Sequence, residues 1–116
     1  MNQLTMENYL ARLTSRRQQI VATLRHLDKT RNEVDQNSDW LDQAAHENRV
    51  ELLDRLNDWY DSEMAQIEKA LERIRLGTYG TCAACHNGID AARLSSAPEA
   101  EFCGPCQETR EQLTAS

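Results

Sequence analysis

The sequence predicts a mainly α fold. A long antiparallel coiled-coil hairpin occupies residues 1–77, and a small four-cysteine module with a short C-terminal helix occupies residues 78–116. Three observations predict it. Apolar residues recur in alternating steps of four and three over residues 6–34, and a second stripe of this kind runs on to Ile74, as in helices that share one buried seam. Pro98 is the first proline, so neither stripe carries a helix breaker. All four cysteines fall within residues 82–106, as two Cys-x-x-Cys pairs.

The first helix is expected over residues 6–34, ~43 Å long at 1.5 Å per residue. Its seam is Met6, Leu10, Leu13, Arg17, Ile20, Leu24, Leu27, Arg31 and Val34, in which all but the two arginines are apolar. Thr5 is the expected N-cap, with Glu7 at the positive end of the helix dipole. Asp35-Gln36-Asn37-Ser38 contains no apolar residue and is rich in turn formers. So short a connection makes the two helices antiparallel neighbours. The second helix is expected over residues 39–76, ~57 Å long. Asn37 or Ser38 caps it, and Asp39 and Asp42 stand in its first turn. Its stripe is Leu53, Leu56, Tyr60, Met64, Ile67, Leu71 and Ile74, with a change of phase at the two steps of four. Leu52 and Trp59 are expected to widen the apolar face, and Trp40 either to contact a partner or, the favoured role, to pack across the turn onto Val34. Gly77 ends the helix as a left-handed cap.

The cysteines read Cys82-Ala83-Ala84-Cys85, then 17 residues, then Cys103-Gly104-Pro105-Cys106. This spacing is that of a structural zinc site, because two intervening residues let one tight turn present both thiolates to a single ion. Four thiolates close a tetrahedral shell and leave no open position. His86 follows directly, but four sulfurs already suffice. A pair of disulfides would need a secreted context, and no signal peptide is read at Met1. A thioredoxin-like site would need a βαβ pattern, which is missing. Between the pairs only Ile89, Leu94 and Phe102 are large and apolar. That is too little to fold the module without a staple, so zinc binding is part of its folding free energy. Gly88 and Pro98 mark turns, residues 89–94 are expected as a short strand, and residues 107–113 as the C-terminal helix.

Charge narrows the function classes. The formal net charge is −6, and residues 78–116 hold two bases (Arg93, Arg110) against five acids. The cysteine spacing is shared with GATA-type fingers, but phosphate contacts need clustered Lys and Arg, so sequence-specific DNA binding is not expected. No apolar run approaches the ~20 residues of a membrane span. Reduced, metal-binding thiols suit the cytoplasm. With a closed zinc shell and no His–carboxylate–nucleophile set, no enzyme is expected. Residues 1–32 carry six bases against two acids, and the remainder 17 acids against seven bases. Pairing between the two helices accounts for much of this asymmetry. The turn stands apart: residues 33–47 hold five acids and no Lys or Arg, namely Glu33, Asp35, Asp39, Asp42 and Glu47. A stiff hairpin with charge at its tip suits delivery of that charge into a deep channel.

Asp39-Trp40-Leu41-Asp42-Gln43-Ala44-Ala45 resembles the Asp-x-x-Asp-x-Ala tip motif of the DksA/TraR family. Tyr79-Gly80-Thr81-Cys82, Ile89, Arg93-Leu94, Pro98 and the four cysteines resemble that family's zinc module. The resemblance covers nearly the whole chain. It implies a bacterial transcription regulator, expected to be a monomer, that binds RNA polymerase directly. The hairpin enters the polymerase secondary channel and alters open-complex stability. Asp39, Asp42 and Ala44 would then be the working tip, and Cys82, Cys85, Cys103 and Cys106 would hold one structural zinc. Three positions at which nucleotide-responsive members place basic residues hold Gln66, Ala97 and Gln107 here, so the response to the alarmone ppGpp is expected to be weak or absent. The alternative is a zinc-dependent adaptor that binds another protein's helices through the sides of its coiled coil.

Overall fold

The computed structural model describes residues 2–36 and 43–115. Among these residues the order is four helices: α1 (Gln3–Gln36), α2 (Gln43–Leu76), α3 (Ala91–Ser96) and α4 (Gly104–Ala115). The described residues form two compact units, Met1–Ser15 with Gln66–Ser116, and Arg16–Ala65.

α1 begins earlier than Thr5. Asn2 is the cap: its Oδ1 accepts the Thr5 backbone N–H at 2.8 Å, and its carbonyl accepts that of Met6 at 3.0 Å. An Asn side chain satisfies this orphan donor as well as a Thr would, and Thr5 becomes an ordinary first-turn residue. At the other end, α2 stops as the sequence predicts. Gly77 has φ +79°, the Gly77 N–H bonds to the Ile74 carbonyl at 3.3 Å, and the Thr78 N–H bonds back to the Arg73 carbonyl at 2.9 Å. This is a Schellman closure, which requires the left-handed residue that glycine supplies without strain.

In the Arg16–Ala65 unit the helices run antiparallel. Arg16 makes a two-pronged pair with Glu63 (Nε to Oε2 2.7 Å, Nη2 to Oε1 3.0 Å), and Arg31 pairs with Asp54. The opposite charges of the two helices therefore meet across the seam. Ile20 is fully buried there, while Leu24, Leu27, Val34, Leu53, Leu56 and Tyr60 are half-buried. Leu52 and Trp59 do not widen the buried face; they are 51% and 71% exposed. A two-helix seam has one narrow contact line, and among the described residues no third element covers its shoulders.

The other unit holds most of the core: Tyr9, Leu13, Ile67, Ala70, Tyr79, Cys82, Ile89 and Leu94. Tyr9, not Leu10, is buried from α1. Its ring lies 5.7 Å from that of Tyr79 at 52°. The Tyr79 hydroxyl donates to the Pro98 carbonyl at 2.8 Å. Residues 89–94 are not a strand. Ile89 ends a short antiparallel turn closed by the Thr81–Gly88 bridge, with its N–H on the Gly80 carbonyl at 2.7 Å, and Asp90 then opens α3. Ala91-Ala92-Arg93-Leu94 has good helix formers and no β-branched residue, so helix wins once Ile89 has turned the chain. α4 starts three residues earlier than expected, inside the second cysteine pair, where Pro105 suits the first helical turn.

Candidate functional site

The four cysteines come together from two segments. The first pair sits on the turn after α2, where the Cys82 N–H bonds to the Asn87 carbonyl at 2.8 Å and the His86 N–H to the Cys82 carbonyl at 3.0 Å. His86 closes this knuckle with φ +64°, a left-handed conformation that few side chains adopt. The second pair lies where the loop enters α4, and the Ala83 N–H ties the two segments by bonding to the Glu101 carbonyl at 3.0 Å.

All four Sγ atoms lie within 4.8 Å of one another. A tetrahedral zinc with Zn–S bonds of ~2.3 Å separates its sulfurs by ~3.8 Å. Cys85 Sγ and Cys103 Sγ are 3.7 Å apart. The donor set and its spacing therefore fit one zinc ion, and His86 is not part of the cluster. The backbone N–H of Cys85, 3.5 Å from Cys82 Sγ, leads the contacts that hold the Cys82 thiol below its ordinary range. Hydrogen bonding to Cys103, then to Cys82 and Cys85, pushes the Cys106 thiol up. Sulfurs this close resist becoming four thiolates alone, and a divalent cation offsets that repulsion.

Three arginines fasten the loops around this centre. Arg73 Nη2 donates to the carbonyls of Glu99 (3.4 Å) and Ala100 (3.2 Å), Arg93 Nε to that of Phe102 (2.9 Å), and Arg12 Nη2 to that of Ser95 (2.8 Å). In the sequence, Arg12 and Arg73 figure only in the charge totals. The sequence signal for Arg73 is its place one residue before Ile74 in the apolar stripe of α2; the signal for Tyr9 is its spacing of four from Leu13.

Gln66, Ala97 and Gln107, which are far apart in sequence, line one cavity of about 400 Å³ in this unit. Arg73 and Arg93 line it too, as do Glu99, Glu101, Glu108 and Glu111. Of the sequence-predicted tip, Ala44 is exposed in the first turn of α2, whereas Asp39 and Asp42, together with Trp40, lie outside the described residues.

A paired-helix segment followed by a four-thiolate centre defines a helical-hairpin protein with a C4-type zinc finger. The sequence profile for the DnaK suppressor protein-like N-terminal domain matches residues 9–74, and that for the prokaryotic dksA/traR C4-type zinc finger matches residues 77–112. The chain belongs to the DksA/TraR family, and its cysteines bind a single structural zinc. It is similar to the RNA polymerase-binding transcription factor DksA of Caulobacter vibrioides, with 29% identity over 116 residues, covering 97% of this chain and 80% of that protein. Its fold is similar to that of transcription factor DksA2 from Pseudomonas aeruginosa (TM-score 0.88, 24% identity, 99% of this chain and 89% of that one). It also resembles the RNA polymerase binding protein and transcriptional regulator Dks from Chlamydia trachomatis (TM-score 0.64, 21% identity, 100% and 98%). Among the described residues, no helix is long and apolar enough to cross a membrane.

Proposed function

We propose that this protein is a cytoplasmic transcription regulator that binds RNA polymerase directly as a monomer and makes no sequence-specific contact with DNA. The hairpin enters the polymerase secondary channel. Asp39, Asp42 and Ala44 act at its tip, near the catalytic centre, and change the stability of promoter open complexes. The observation that carries this reading is the order of parts in one chain: two antiparallel helices with an Asp-x-x-Asp-x-Ala sequence at residues 39–44, then a C4 zinc finger. The Caulobacter DksA, named for binding RNA polymerase, aligns across nearly all of it. The test is capture of purified polymerase by the zinc-loaded protein, with competition by a known secondary-channel binder. Binding that such a competitor abolishes is expected; no binding, or binding indifferent to the competitor, would overturn the reading.

The response to ppGpp is weak or absent in this proposal. Charge-assisted bonds from Lys or Arg are what hold a dense phosphate array. Gln66 and Gln107 offer neutral donors and Ala97 none. In the cavity they line, Arg73 and Arg93 already donate to backbone carbonyls, and four glutamates add negative charge. Lys69, Arg73 and Arg93 are the cations among the lining residues, against those four glutamates, and each guanidinium has a donor committed to a carbonyl. Transcription from a sensitive promoter, using polymerase that lacks its other ppGpp site, is expected to be the same with and without the nucleotide. Strong enhancement by ppGpp would contradict this.

A further inference from the structure

A histidine of α2 faces an aspartate of α1 where the two helices approach residues 37–42. His46, in the first turn of α2, holds its Nε2 4.0 Å from Oδ1 of Asp35, in the last turn of α1. The His46 side chain is 21% exposed and that of Asp35 56%. The chain has three histidines, and the other two, His26 and His86, are exposed. His46 is thus the histidine that its own fold half-buries. At 4.0 Å the contact is too long for a hydrogen bond. What His46 can offer Asp35 at that distance is charge, and it has charge to offer when the imidazole carries its second proton.

The surroundings are mostly acidic. Asp35, Glu47, Glu51 and Asp54 line a hollow of about 450 Å³ together with His46 and Val50. From α1, Arg31 reaches this group by pairing with Asp54, and Asp35 and Asp28 also act on its charge. On α2, Glu47 accepts from the Gln43 amide at 3.2 Å. Glu33, two residues before Asp35, and Arg49, three after His46, are exposed charges of opposite sign. Histidine is the side chain that ordinarily gains or loses its charge between about pH 5 and 8. Carboxylates ordinarily do so near pH ~4, and guanidinium groups stay charged throughout. Within the histidine range, the charge that varies among these groups is therefore the one on His46.

We propose that His46 and Asp35 form a pH-dependent clasp between the last turn of α1 and the first turn of α2, closed when His46 is protonated and released when it is neutral. Protonation turns a contact between neighbours into an ion pair, set among carboxylates that Arg31 offsets in part. The ion pair needs the proton. Its contribution is therefore full on the acid side of the histidine range and is lost as pH rises through that range. Ala44 stands two residues before His46 in the same helical turn. Closing the clasp steadies that turn, so the regulator acts more strongly at acid pH. This last step rests on the proposed function, which gives Ala44 its role at the tip; the clasp itself does not.

The test uses full-length, zinc-loaded protein: wild type, H46Q, D35N and, as a control, H26Q. Amide protection is measured by NMR at about pH 5.5 and about pH 7.5, on either side of the ordinary histidine midpoint, and corrected for the intrinsic exchange rate. The amides to follow are those of residues 47–50, which bond back to the first turn of α2. A partly exposed ion pair predicts roughly two- to fivefold greater protection at the acid pH in wild type and H26Q. H46Q and D35N are expected to show no such difference. The effect on open-complex lifetime with purified polymerase, taken as a ratio to H46Q at each pH, is expected to follow the same pattern. Wild-type protection equal to that of H46Q at both pH values would overturn the clasp while leaving the proposed function intact. A D35N response equal to that of wild type would overturn Asp35 as the partner of His46. Acid-enhanced protection in a protein that leaves polymerase unaffected would support the clasp and overturn the proposed function.

Discussion

The two compact units share α1 and α2 but are held together by different means. In the unit of Met1–Ser15 and Gln66–Ser116, eight large or small apolar side chains are buried, a four-thiolate centre ties two segments, and arginines reach across to loop carbonyls. In Arg16–Ala65, Ile20 is the one fully buried apolar side chain among the described residues, and two cross-helix ion pairs flank a half-covered seam. A unit with a closed core and a metal keeps its shape by itself. A two-helix unit must leave its sides in water, and that is where contacts with other molecules become possible. The difference separates residues that hold this protein together from residues it can offer to a partner.

Removing zinc should widen the difference most. Structural zinc in small fingers contributes ~10–16 kcal/mol of apparent binding free energy, which here is folding free energy. Replacing Cys82 with Ser, or chelating the metal, is expected to melt residues 78–116 while most of the α1–α2 helix signal survives. Amide exchange and circular dichroism on the same sample would check it. Purified protein that carries no zinc, with disulfides in place of thiolates, would contradict the metal assignment.

Core truncations should repeat the contrast at smaller scale. Ile67 is 1% exposed, in the unit with the larger core, and Ile67→Ala is expected to cost ~2–5 kcal/mol in denaturant unfolding. Leu27 is half-buried in the hairpin unit, and Leu27→Ala is expected to cost about 1 kcal/mol. Equal losses at the two sites would mean that the hairpin seam is as well covered as the core.

An alkaline-pH prediction belongs to the first unit alone. Burial pushes the Tyr79 hydroxyl up from 10.0 to about 12, with Tyr9 adding to the shift and Arg73 and Arg12 opposing it. The folded chain therefore holds this proton more tightly than the unfolded chain. The stability tied to it is intact below pH 10 and is lost as pH rises from 10 to about 12. Tyr79→Phe should flatten that alkaline decline, at the expense of the bond to the Pro98 carbonyl.

Most of this architecture is legible in the sequence because its causes are local or periodic. The seam steps of α1, the end of α2 at Gly77 and the Cys-x-x-Cys pairs each follow from the residues that carry them. What was not legible depends on tertiary surroundings. Trp59 and Leu52 border the apolar stripe, but among the described residues no third element covers them. Residues 89–94 contain Ile89 and Leu94 as a buried strand would, yet Ile89 is spent on the knuckle and Asp90 opens a helix. Tyr9 replaces Leu10 in the core because its aromatic partner, Tyr79, lies 70 residues away. The acidic stretch 33–47 stands out by charge and motif together, and of its proposed working residues Ala44 lies within the described chain.

The central claim is that fastening and function reside in separate places, and the tip tests it most directly. Asp39 and Asp42 stand three apart in sequence, the spacing that sets two side chains on one face of a helical turn. Changing both to Asn removes the charge and keeps the size, and is expected to alter stability by about 0.5 kcal/mol or less, as surface substitutions do. With purified polymerase and a sensitive promoter, the double variant should bind with near wild-type affinity and unfold at the same denaturant concentration, yet lose most of its effect on open-complex lifetime. An unchanged effect on transcription, with both charges gone, would contradict the account.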